Sequence, residues 1–200
     1  MNKKFSAFIQ YVRRHLKEHG GKLIIGRGSN INGGDGCRCS GTYGERIIRV
    51  AGKNSCFLEV LVHEYCHFLQ DLEVHKSTLL ADEKAGEIMF GWLTGEKQNK
   101  QDVEKAFSRI RIMERDCEKR SVHLIKKFNL PINIESYIQK ANCYIYLHYI
   151  MRERRSWNCL PGLNPMKSNK VLKLMPKTFK AKSDKIIPEN IHQMLLKFFP

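Results

Sequence analysis

Leu61-Val62-His63-Glu64-Tyr65-Cys66-His67-Phe68-Leu69 is the stretch on which the reading of this chain turns. With Leu58 and the turn that follows, it makes residues 56–72 apolar around much of a helical circumference, which predicts a buried helix. Two histidines four residues apart stand inside it, with a glutamate directly after the first: H-E-x-x-H. Residues at i and i+4 share one helix face, so both imidazoles can reach a single ion while Glu64 projects beside it. Two His and a Glu are costly in an apolar helix unless something satisfies them. The pattern assigns His63 and His67 as ligands of Zn2+ and Glu64 as the general base that activates metal-bound water. The competing reading is a pair of core histidines satisfied by hydrogen bonds.

Outward from this helix, Gly52-Lys53-Asn54-Ser55 is turn chemistry, Asn54 or Ser55 can cap the helix, and Glu59 complements its dipole. Residues 45–51, with Ile47, Ile48 and Val50, predict a strand, and residues 22–26 another. Between them, residues 28–44 are crowded with Gly, Asn, Asp and Ser and predict a loop or loose hairpin. Phe5, Phe8, Ile9, Val12 and Leu16 recur at helical spacing, and Gly20-Gly21 ends that first amphipathic helix. Downstream, helices are predicted over 79–93, 103–128, 134–157 and 189–199, with Asn129 and Pro131 closing the second of these. The fold class is α+β and mostly helical: a small N-terminal sheet, the buried H-E-x-x-H helix and a helical C-terminal half. A length of 200 residues suits one compact domain, placed at 1–160, with residues 161–200 as a basic extension packed on it or trailing from it.

A catalytic zinc site needs a third protein ligand. Gln70 and Asp71 follow His67 where a closely spaced third His would require glycine, and His75 follows polar sequence and is a poor candidate. A carboxylate from a later helix is the better choice. Wound at about 100° per residue, 79–93 turns Ala81, Ala85, Ile88, Met89 and Trp92 inward and leaves Glu83 and Glu87 as surface charges. Over 103–128 the inward face holds Ile110, Cys117, Ser121, Leu124 and Phe128. Glu114 falls among them, and Glu118 lies at their edge. An inward carboxylate asks for a cation, so Glu114 is assigned as ligand. Glu118 is assigned as the residue that orients a ligand His, with the two roles exchangeable.

His63-Glu64-Tyr65-Cys66-His67 followed at a distance by Glu114-Arg115-Asp116-Cys117-Glu118 resembles the gluzincin-type metallopeptidases, and especially the small H-E-x-x-H proteins encoded by bacteriophages. The resemblance covers roughly residues 45–160. It implies a zincin-like fold, zinc-dependent peptide-bond hydrolysis and a Glu ligand on a helix after the active-site helix, often with an Asp four residues later. Here Glu118 stands in the place of that Asp. It also implies that the strand at 45–51 pairs with an extended peptide substrate, as edge-strand addition allows. An oxyanion donor is sought among Tyr144, Tyr146, His148 and Tyr149, without a choice between them.

Seven cysteines without a secretory-type start point to reduced thiols and a cytoplasmic setting. Cys56, Cys66, Cys117 and Cys143 read as small core residues. Cys37 and Cys39 form a C-x-C pair with no second pair at zinc-ribbon spacing. Apolar runs stop well short of the roughly 18 residues a membrane span needs. The formal charge is +15, and residues 140–200 hold twelve Lys or Arg against three Asp or Glu. Such a surplus draws nucleic acid or acidic partners non-specifically. It supports the alternative of a nucleic-acid-associated or partner-binding protein with a structural or inactive metal site, although no finger, helix-turn-helix or RNP signature accompanies it.

Overall fold

The structure, a computed structural model, describes residues 3–32, 38–73, 75–160, 162–179 and 186–200. It is mostly helical with a small mixed sheet, the α+β class expected. By its contacts the chain forms two compact units, Met1–Val74 with Arg120–Asn133, and His75–Lys119 with Ile134–Pro200.

In the first unit, α1 (Lys3–Glu18) leads into β1 (Lys22–Gly26). Gly20 allows the reversal with φ 72°, and the Gly21 amide returns to the Leu16 carbonyl. The glycine-rich stretch read as a loop holds more structure than its composition announces. β2 (Ile31–Asn32) and β3 (Arg38–Cys39) pair as a short antiparallel ribbon, and β4 (Gly41–Gly44) follows. β4 then turns tightly into β5 (Ile47–Ala51), Gly44 standing opposite Ile47. Glu45 and Arg46 form that two-residue turn, both with positive φ (51° and 60°). This is the type I′ arrangement that normally recruits Asn or Gly. The sheet order is β1-β5-β4, with β1 parallel and β4 antiparallel to β5.

This order corrects one expectation. The strand at 45–51 is central and has a partner along both edges, so it cannot accept a peptide by strand addition; the outer strand on that side is β4.

After the turn, the Asn54 side chain accepts from the Cys56 amide, and α2 (Phe57–Glu73) begins. α2 packs on β4 and β5 and α1 packs on β1. The two helices meet through edge-to-face rings, Phe8 on Tyr65 and Phe5 on Phe57. Ile48 and Val50 from the sheet, Val12 and Leu16 from α1, and Leu61 and Phe68 from α2 are fully buried. Residues 120–133 complete this unit, with Phe128 against Phe8 and Tyr11.

In the second unit, α3 (Lys76–Leu93), the first part of α4 (Lys100–Lys127) and α5 (Ile134–Arg154) share a core with α6 (Asn169–Leu172) and α7 (Glu189–Leu196). Ala85 and Met89 point inward and Glu83 and Glu87 outward, as their spacing predicts. The described part of 161–200 is packed, not trailing: Val171, Met175, Ile191, Leu195 and Phe199 belong to that core. Some of the C-terminal positive charge serves structure. Arg155 lies 4.0 Å over the Trp92 ring and donates to the Trp92 and Glu96 carbonyls, and Arg152 pairs with Glu104. Among the described residues no helix is long and apolar enough to cross a membrane.

Candidate metal centre

α2 places His63 and His67 one turn apart, both partly exposed, on a helix that otherwise buries its bulk. Their rings meet edge to face, and Nε2 of one lies 3.1 Å from Nε2 of the other. Zinc–nitrogen bonds of about 2.0–2.1 Å in a tetrahedron separate two ligand nitrogens by about 3.3 Å, so this spacing already approximates one edge of a coordination polyhedron. His67 Nδ1 is 2.9 Å from the side-chain oxygen of Gln70, which is itself buried.

One ligand atom from each of His63, His67 and Cys117 lies within 4.8 Å of the other two, a cluster able to hold a metal ion. Within the first unit, the Ser121 hydroxyl on α4 donates to the Cys66 sulfur at 3.3 Å. Thiolate with two imidazoles is a zinc donor set. Neither Glu114 nor Glu118 belongs to this group. Both are buried, as an inward carboxylate should be. Glu118 accepts from the Tyr137 hydroxyl at 2.6 Å, and Glu114 lies close enough to His148 to act on its ionisation. Spacing placed Cys117 on the inward face but read it as a core residue. Its position between two buried glutamates was the signal that polar chemistry gathers on that turn.

Glu64 is buried and sits against β4. A Cβ on Gly41 would fall 2.3 Å from Val60 Cγ1 and 3.1 Å from Glu64 Oε1, so only glycine leaves the carboxylate its seat. Two residues along, Tyr43 donates to Asp71 in the last turn of α2. Burial, and then the Asp71 carboxylate, push the Tyr43 phenol well above its ordinary range, so it remains a donor at neutral pH.

The four oxyanion candidates on α5 have separate environments. Tyr146 is buried in the core of the second unit, and Tyr149 lies 3.9 Å under the Arg111 guanidinium. His148 is fully buried and donates from Nδ1 to the Tyr144 carbonyl, with its ring against that of Tyr144. His75 is exposed. Cys37 lies outside the described residues, and none of the described cysteines forms a disulfide. No protein-family model, curated protein or solved structure matches the chain.

Proposed function

We propose that this chain is a zinc-dependent hydrolase of peptide bonds, with His63 and His67 as two ligands, a third supplied by α4, and Glu64 as general base. The observation that carries the reading is the pair of facing Nε2 atoms 3.1 Å apart on a buried helix. Two imidazoles meeting by hydrogen bonding alone need only one lone pair between them. A metal uses both, and the His67 ring already directs its other nitrogen to Gln70. Cys117 is the α4 ligand favoured by position, and Glu114, with Glu118 as alternative, is the one favoured by the gluzincin resemblance. Zinc held there supplies Lewis acidity, lowering the pKa of a coordinated water toward about 7 and polarising a carbonyl.

The chain's own groups do the rest. Glu64 projects beside the two histidines, takes the proton from the attacking water and returns it to the leaving amine. Gly41 leaves room for that carboxylate next to β4. β4 is the outer strand of its sheet, so its backbone groups can align an extended peptide past Glu64. This is a zincin-like arrangement of helix and edge strand. The alternative, a nucleic-acid-associated protein, rests on charge alone.

Elemental analysis of purified protein should find about one zinc per chain. Glu64→Gln should keep the zinc and lower peptide hydrolysis by about 10²–10⁴-fold; normal cleavage by that variant would show the mechanism to be wrong. Cobalt substitution identifies the third ligand. A sulfur-to-cobalt charge-transfer band that Cys117→Ser abolishes assigns Cys117. Its absence in the wild type, with cobalt lost on Glu114→Gln, assigns Glu114.

A further inference from the structure

We infer that Gln70 is a positioning residue for His67: its side-chain carbonyl holds the imidazole in the Nδ1–H tautomer, so that Nε2 presents a lone pair before any metal arrives. The inference rests on the metal-site reading above and adds a residue that the H-E-x-x-H pattern does not contain.

Gln70 Oε1 lies 2.9 Å from His67 Nδ1. An amide oxygen only accepts, so this bond exists when the proton is on Nδ1. A neutral ring protonated there has an unprotonated Nε2, and that atom faces His63 Nε2 at 3.1 Å. In the metal-free pair His63 therefore donates to His67. A metal has to displace the proton of one imidazole, not two.

The position of Gln70 makes the contact a fixed one. Three residues after His67, it lies on the adjoining helix face, where i,i+3 side chains meet. It is only 8% exposed, so its rotamer entropy is already lost on folding and is not charged against metal binding. The next residue, Asp71, accepts from Tyr43 on β4 and ties this last turn of α2 to the sheet. Glutamine also brings no charge to the ring. A carboxylate in its place would make the same bond and raise the basicity of the ligand nitrogen.

The test uses full-length wild type, Gln70→Leu and Gln70→Glu. Nitrogen-15 shifts of the His67 ring are read in the metal-free proteins, and zinc dissociation constants by chelator competition. The wild type should show the Nδ1–H tautomer. Gln70→Leu keeps the side-chain volume, so it should lose that preference and bind zinc about 10–100-fold more weakly. Gln70→Glu should restore the tautomer and bind at least as tightly as wild type. A wild-type ring protonated on Nε2, or Gln70→Leu with an unchanged dissociation constant, overturns the role of Gln70 and leaves the metal site standing. A wild type that binds no zinc overturns the metal reading and this inference with it.

Discussion

Two helices of this protein carry histidine on a packed face, α5 and α2, and the comparison between them separates a core residue from a proposed ligand. On α5, His148 is fully buried, and its Nδ1–H donates to the carbonyl one turn back, that of Tyr144. Its own helix supplies the partner. Burial lowers its pKa, the nearby Glu114 opposes that shift, and Arg111 adds slightly to it, so the ring is kept neutral. On α2, His63 and His67 are partly exposed, and their Nε2 atoms lie 3.1 Å apart. The second nitrogen of His67 goes to a side chain rather than to the helix backbone. A lone histidine on an apolar face can thus have one ring nitrogen, here Nδ1, satisfied by its own helix. A pair at i,i+4 whose ring nitrogens converge is arranged around something that both can share.

The sharpest way to break this contrast is to remove one histidine from each helix. His63→Ala or His67→Ala should lower zinc affinity by more than the roughly 100-fold that losing a supporting contact costs. His148→Ala should leave affinity within about twofold while reducing stability, as truncation of a buried side chain does. Chelator competition and urea denaturation on the three variants decide it. Loss of zinc from His148→Ala with full retention by His63→Ala would reverse the assignment.

A smaller effect probes the setting of Glu64. Gly41→Ala puts a methyl group 2.3 Å from Val60 Cγ1 and crowds the Glu64 carboxylate. Overpacking of this kind costs about 1–3 kcal/mol. Denaturant midpoints should fall accordingly, and peptide hydrolysis should fall further than zinc content does. A fully stable, fully active Gly41→Ala would mean that Glu64 does not depend on that seat.

What was legible in the sequence follows the same division. Helical periodicity places α1, α2, α3, α4 and α5 because each has one face with a single fate. His63, Glu64 and His67 stand out because i,i+4 geometry is a local property. Strand β4 and its turn were not legible, because Glu45 and Arg46 adopt positive φ without the residues that normally announce it. The packed C-terminal segment was hidden by its lysines, which surround the few buried anchors such as Val171 and Leu195. On α4, periodicity identified the buried face but not the use made of each residue on it. Spacing can say that Glu114 and Cys117 turn inward and that Glu118 lies at their edge; it cannot say that the Tyr137 hydroxyl meets Glu118.

The smallest expected effect concerns pH and tests whether His148 is the neutral core residue that the comparison requires. Above the unfolded-state value of 6.5 the ring is neutral in both states and contributes nothing to pH dependence. Below it the unfolded chain takes up a proton that the buried ring refuses, so stability falls as pH falls, until the depressed native value is reached. The slope for one group is at most about 1.4 kcal/mol per pH unit. His148→Gln removes the titration, and every other group, including His15, whose pKa is also lowered, is common to both proteins and drops out of the difference. Wild type should therefore lose stability relative to His148→Gln between pH 6.5 and 5.5. Parallel stability curves over that range would mean that His148 can take up a proton in the native state, with the Glu114 carboxylate beside it holding the charge.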